Sequence, residues 1–230
     1  MERIAEKRLR ANEVYSVLRR TYPDATVTLN YTNAFELLIA TVLSAQTTDV
    51  RVNQVTQPLF SQYASPEKLA NAKIADIERI LFPLGFYHTK SRNIINLARQ
   101  LLLSFNGEVP KTHDELVTLP GVGTKTANVV LGNFFDIPAI TVDTHVGRLS
   151  RRLGFSTQKD PEKVRVDLEK LFENNKRTVL SHLLIAHGRA VCKAPTPLCT
   201  KNPSACTVYN FCPRNGIDKK KFEYAVLTLL

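Results

Sequence analysis

Apolar positions recur every three or four residues through most of the chain, the spacing of helices that bury one face. Residues 2–21 show it loosely, with Ile4, Leu9, Val14, Val17 and Leu18 set among charges and a stop at Tyr22-Pro23. Asn33 and Glu36, three residues apart, predict a capping box ahead of Phe35, Leu38, Ile39, Val42 and Leu43. Ser65-Pro66-Glu67 predicts a short helix with proline at its first position. Ile77, Ile80 and Leu81 predict another that ends at Pro83 and Gly85. A long helix follows over 89–105, with Ile94, Ile95, Leu97, Leu101 and Leu102 inside and Asn106-Gly107 as its stop. Thr112 with Glu115, and Asp160 before Pro161, mark two more helix starts. Pro58 falls inside an otherwise helical 50–63 and predicts a kink there. Only 26–31 and 139–142 read as extended, both too short to build a sheet. The predicted class is all-α.

Composition narrows the kind of molecule. A chain of 230 residues, 43% hydrophobic and 23% charged, with nine glycines and no tryptophan, builds a real core. Collagen-like, low-complexity and disordered classes are excluded. The longest apolar stretch, Phe35 to Ala45, contains Glu36 and Ser44 and falls short of the roughly 20 residues that span a bilayer. The first residues alternate charges without an apolar run, so no secretory signal is visible and an intracellular, cytoplasmic protein is expected. Lys and Arg number 31 against 21 Asp and Glu, a net +10. A field of that sign concentrates polyanions, nucleic acid first among them. A basic surface without such a partner is the equal alternative.

Chemistry gathers in three places. Leu119-Pro120-Gly121-Val122-Gly123-Thr124-Lys125-Thr126-Ala127 lies between a predicted short helix, 113–118, and an apolar-periodic one through Val129, Val130 and Phe134. Two glycines two apart allow a tight turn with amides pointing outward, beside the free N–H groups of the next helix. That makes a phosphate cradle that reads no sequence. A lone Gly-x-Gly is in most proteins only a turn; Leu-Pro before it and Lys-Thr-Ala after it sharpen the signal. Lys125 stands in a first helical turn, where the helix dipole disfavours a cation. One reading is an exposed lysine or a phosphate contact; the other is an amine kept neutral and nucleophilic.

Val142-Asp143-Thr144-His145 follows, with Asp143 predicted to cap a helix over 145–153 and free to serve an active-site mouth as well. His145 reads equally as surface or cap packing. Arg148, Arg151 and Arg152 share one helix face, either against phosphate or simply solvated. All four cysteines fall between Cys192 and Cys212, in a stretch that also holds Pro195, Pro197 and Pro203, with Pro213 beside it. Such a segment cannot be regular helix, and in a reduced compartment the clustering argues for metal ligation before disulfides.

These motifs together resemble the endonuclease III family, the helix-hairpin-helix DNA glycosylase/AP lyases of base excision repair. The resemblance also rests on Phe35-Glu-Leu-Leu-Ile-Ala, Leu43-Ser-Ala-Gln-Thr-Thr-Asp49, Asn106-Gly-Glu-Val-Pro110 and His187-Gly-Arg189. It implies a helical barrel domain over 27–137 and a discontinuous second domain from 1–26 and 138–230, with DNA in the groove between. It implies Lys125 as the catalytic amine and Asp143 as the catalytic carboxylate. Gly121, Val122, Gly123, Thr124 and His145 are then DNA contacts, Gln46 fills the hole left by a flipped base, and Phe86 wedges beside the lesion. For Gln46 a helix-end polar residue is the rival reading, and for Phe86 core packing. The implied partner is double-stranded DNA carrying oxidised pyrimidines or abasic sites, met by a monomer.

The family also implies a [4Fe–4S] cluster on Cys192, Cys199, Cys206 and Cys212. Here the spacing departs: C-x6-C-x6-C-x5-C stands where the family has C-x6-C-x2-C-x5-C. The extra residues at Thr200-Lys-Asn-Pro203 are expected to loop outward. No C-x-x-C knuckle is present, which counts against zinc. Two other functions stay in view. The adenine mismatch glycosylase of the same superfamily lacks the lysine and usually carries a further C-terminal domain, for which the tail after Cys212 is short. A non-enzymatic helix-hairpin-helix module would bind duplex without cutting it.

Overall fold

The computed structural model describes residues 2–217, so the part of the 138–230 segment beyond residue 217 lies outside the described residues. Among the described residues there are helices and no strand. Two compact units emerge: one takes in the chain up to Thr26 and again from Pro138, the other is Val27–Ile137. The helix α1 (Ile4–Thr21) opens the first unit. The second holds α2 (Ala34–Leu43), α3 (Asp49–Gln62), α4 (Pro66–Ala70), α5 (Ile74–Leu81), α6 (Tyr87–Phe105), α7 (His113–Leu116) and α8 (Thr124–Phe134). The chain then returns to the first with α9 (Thr144–Arg152), α10 (Pro161–Leu171) and α11 (Arg177–Ala190).

In the Val27–Ile137 unit, α2 is apolar all round, and Phe35 through Leu43 are all buried. It packs against α3, α6 and α8 and forms the centre of that core. Its cap differs from a reciprocal box. Asn33 Oδ1 accepts the Glu36 N–H at 2.9 Å, but Glu36 Oε2 accepts from Thr32, its N–H at 2.7 Å and its hydroxyl at 2.8 Å. The carboxylate is buried, and two donors from one residue satisfy it better than one. The helix α3 runs from Asp49 to Gln62 across Pro58. The α6 helix begins two residues before the predicted start, because Phe86 takes a left-handed conformation at its N-cap. It ends as read, with Asn106 and Gly107 both at positive φ and the Gly107 N–H bonded to Leu101 O at 3.0 Å.

In the other unit, α1 buries the single stripe Ala11, Val14 and Leu18 against α10 and α11. With Leu149, Leu168 and Leu184 these make one apolar core, each large side chain contributing roughly 2 kcal/mol. Cys199 and Cys206 belong to the same core. The cysteine segment folds as three short 3-10 turns, Leu198–Thr200, Pro203–Ala205 and Tyr209–Phe211. Turns this short bring few backbone bonds, so side chains from α9 and α11 must hold them.

Candidate active site

The hairpin between α7 and α8 is built by Gly121 and Val122. Gly121 lies at φ +79°, and a Cβ there would stand 3.1 Å from Asn93 Nδ2 and 3.2 Å from Val42 Cγ1. Only glycine combines that φ with so close an approach to α6 and α2. Val122 is buried as the anchor, and its N–H bonds Leu119 O at 3.1 Å. Gly123, extended at φ −105°, is the N-cap of α8 and brings no side-chain cap. The first amides of α8 thus face outward from an exposed turn, the arrangement that receives an anion. Lys125, the second residue of α8, is exposed.

Gln46 and Phe86 flank two other helix ends in the same unit. Gln46 follows α2 at φ 54° and Phe86 precedes α6 at φ 58°. For residues with a Cβ, each such conformation costs on the order of 1–2 kcal/mol. Both are exposed, Phe86 by 68%, so core packing does not explain Phe86. Beside them stands a residue that sequence reasoning passed over. Lys90 of α6 is 5% exposed and donates its ammonium to Thr47 Oγ1 at 2.7 Å. Burial pulls its affinity for the proton below the usual lysine range.

In the other unit Asp143 caps α9: its Oδ1 accepts the Val146 N–H at 2.8 Å. The carboxylate is half-buried at that helix start. His145 packs where α9 crosses α11, and Arg148 Nη2 meets its Nδ1 at 3.1 Å. Gly188 makes this crossing possible, since a Cβ there would stand 2.7 Å from His145 Nδ1. Burial holds His145 below the usual histidine range; the Asp143 charge opposes that, and Arg148 and Arg189 add to it.

The arginine face of α9 is engaged by the chain itself, most fully at Arg152, which departs from the expectation of plain solvation. Arg152 is 7% exposed and donates to Cys192 O at 3.2 Å, Cys192 Sγ at 3.3 Å, Lys193 O at 2.8 Å and Pro195 O at 2.9 Å. Arg148 donates to Cys192 O at 3.0 Å and Gly188 O at 3.2 Å. Arg151 reaches Gln158 O at 3.4 Å. The carbonyls of a segment without its own ladder need donors, and guanidinium forks supply several at once.

Cys192, Cys199, Cys206 and Cys212 all line one pocket, with Arg152, His187 and Leu149 among its walls. His187, 2% exposed, ties the loop at two points. Its carbonyl accepts the Cys192 N–H at 2.8 Å and its Nε2 meets Cys206 Sγ at 3.5 Å, while Tyr22 Oη lies 3.0 Å from Nδ1. Burial pushes His187 down to about 4, so the ring is neutral. Burial also raises the Cys192 and Cys212 thiols, Cys212 to about 11. The longer gap turns on itself: Asn202 Oδ1 accepts from the Ser204 N–H at 3.1 Å and hydroxyl at 2.6 Å. Lys201 to Ser204 are exposed, as an outward loop requires, whereas Thr200 is buried. Among the described residues no three His, Cys, Asp or Glu side chains are grouped as they would be around a single metal ion; the four thiols instead line the wall of the pocket.

Comparison with known proteins decides what these parts belong to. The model of the HhH-GPD superfamily of base excision DNA repair proteins matches residues 39–174. Endonuclease III of a Synechocystis species is 44% identical over 214 residues, 93% of this chain and 96% of that protein. The chain belongs to the endonuclease III family. Endonuclease III of Escherichia coli is 40% identical over 200 residues, 87% of this chain and 93% of its own length. The solved structure of a trapped endonuclease III–DNA covalent intermediate superposes with a TM-score of 0.83 at 41% identity, covering 90% of this chain and 96% of that one. As a member of the endonuclease III family, the chain is a base excision repair DNA glycosylase and AP lyase, and its partner is DNA. Among the described residues no helix is long and apolar enough to cross a membrane.

Proposed function

We propose that this chain removes oxidised or ring-saturated pyrimidines and cleaves 3′ of abasic sites, with Lys125 as the nucleophile and Asp143 as the charge-stabilising carboxylate. The observation that carries the reading is the placement of Lys125: an exposed amine one residue inside α8, directly after an uncapped, outward-facing hairpin. The amides of Gly121, Gly123 and Thr124 hold a phosphate without reading sequence, around the buried anchor Val122. A nucleotide whose phosphate is gripped there brings its sugar toward the next residues. Gln46, Phe86 and His145 are the further DNA contacts of this reading. A cytoplasmic site of action, with the chromosome, follows from the substrate.

The chemistry is a displacement at a sugar carbon. The Lys125 amine, unprotonated, forms a bond to C1′ as the C1′–N bond to the base breaks. The base leaves with that electron pair and takes up a proton. Opening of the sugar ring, with loss of a proton from nitrogen, gives an imine. Removal of a C2′ proton then expels the 3′ phosphate by β-elimination, and water releases the enzyme. Asp143 stabilises the positive charge that develops on the sugar. Flipping is required because C1′ is shielded within the stack, and a damaged base is cheaper to unstack. The trapped covalent complex solved for the structural neighbour supports a covalent route.

Cys192, Cys199, Cys206 and Cys212 are proposed to hold a [4Fe–4S] cluster. The donor set fits: four thiols line one pocket, two belong to the apolar core, and Arg152 already donates to one sulfur. When bound, the cluster supplies a covalent cross-brace to a segment of short turns and takes no part in the reaction.

Incubation with duplexes carrying thymine glycol or an abasic site tests the reading. Strand scission at both lesions is expected. Release of thymine glycol without scission would make the chain a monofunctional glycosylase, release of adenine from a mismatched duplex in place of thymine glycol would favour the adenine glycosylase alternative, and binding without either would leave a DNA-binding module.

A further inference from the structure

Three charged side chains besides histidine are buried among the described residues: Glu36, Lys90 and Arg152. Glu36 is satisfied by Thr32 and Arg152 by the cysteine loop. Lys90 meets one hydroxyl, Thr47 Oγ1. An ammonium has three donors, and among the described residues no carboxylate pairs with this one. A buried charge so thinly satisfied is costly, and folds keep such groups where they serve a purpose.

Its place indicates the purpose. The Lys90 backbone N–H bonds the Phe86 carbonyl at 3.0 Å. The same residue's Nζ reaches Thr47, the neighbour of Gln46. One buried residue therefore joins the two exposed non-glycine positions at φ 54° and 58° that flank α2 and α6. Left-handed residues with side chains persist only where their surroundings over-determine them.

We propose that Lys90 is the positioning residue of the strand-separating probe: through Thr47 it fixes Gln46 to the helix start that carries Phe86, so that both side chains enter the duplex as one unit when the damaged nucleotide leaves the stack. The proposal rests on the reading of Gln46 and Phe86 as inserted residues. A side chain that must be ordered at the moment of insertion loses freedom then; one already held does not. Lysine suits the task because its long stem packs along apolar neighbours while its head still reaches a hydroxyl on another segment.

The test compares cleavage of one abasic strand in duplex and unpaired, since an unpaired strand needs no probe. Lys90→Met removes the donors at similar length, and Thr47→Val removes the acceptor. Each is expected to lower the duplex-to-single-strand rate ratio at least about tenfold, as are Gln46→Ala and Phe86→Ala. The double variant Lys90→Met/Thr47→Val is expected to fall no further than either single one, the mark of a shared unit. Dequenching of 2-aminopurine opposite the lesion, which reports insertion, is expected to drop in step. Equal loss of both rates in Lys90→Met, or full additivity with Thr47→Val, would reduce Lys90 to a packing residue. An unmoved ratio would overturn the proposal with the enzyme's activity intact. A wild-type protein that cuts neither strand would instead sink the functional reading, and this proposal with it.

Discussion

Asp143 is a helix cap in the structure and a catalytic carboxylate in the proposed function, and one substitution separates the two. Its Oδ1 caps α9 through the Val146 N–H, and an asparagine keeps an oxygen for that bond while losing the charge. Asp143→Asn is therefore expected to leave thermal stability close to wild type and to slow base excision by about 10²-fold, measured by single-turnover release of thymine glycol. An excision rate like wild type would leave Asp143 a cap alone. Residue roles of this local kind were legible in the sequence, because a cap depends on neighbours a few positions away. Lys90 was not legible. Both it and Lys125 are lysines near helix starts, and only the packing of α6 beside the Thr47 loop buries one while the other stays exposed. Arg148 and Arg152 failed for the same reason: their shared face was visible, but not the distant carbonyls that occupy it.

At the scale of elements, helix identity followed from apolar spacing and helix ends from capping residues, with Ser65, Thr112, Asp143 and Asp160 all bonding the amides expected of caps. The exceptions lie where tertiary structure overrides local preference. Glu36 turns to Thr32, and Phe86 starts α6 from a left-handed conformation that no propensity favours. In the hairpin two glycines of equal appearance in sequence differ in duty. Gly121→Ala meets Asn93 and Val42 at positive φ and is expected to cost about 2 kcal/mol in denaturant unfolding. Gly123→Ala, extended and with nothing within 4 Å of the added Cβ, loses only the N-cap preference for glycine and is expected to cost less than about 1 kcal/mol. Equal costs at the two positions would contradict the turn geometry.

For the whole molecule, the proposed function has the net +10 charge and the backbone amides of the hairpin address phosphate, not bases. Affinity for lesion duplex is expected to fall about tenfold per doubling of salt if about four phosphates are held; a flat salt titration would contradict that footprint. The cysteine loop makes a second global prediction. Purified anaerobically, the protein is expected to be yellow-brown, with iron and acid-labile sulfide in equal amounts. Cys206→Ser is expected to cost solubility or DNA affinity before lyase chemistry. Zinc in a colourless protein would show that the longer gap changed the site. That gap was plain in sequence, and Asn202 closes it locally on Ser204, whereas the grip of His187 on Cys206 depends on a contact from a separate segment, α11.

Borohydride trapping reads whether the Lys125 amine becomes covalently joined to the sugar. Reduction of the protein with an abasic duplex, followed by peptide mapping of the adduct, reads the attachment site itself. A single cross-link on Lys125 is expected, absent from Lys125→Ala while DNA binding persists. A cross-link mapped to another residue, or trapping undiminished in Lys125→Ala, would contradict Lys125 as the nucleophile.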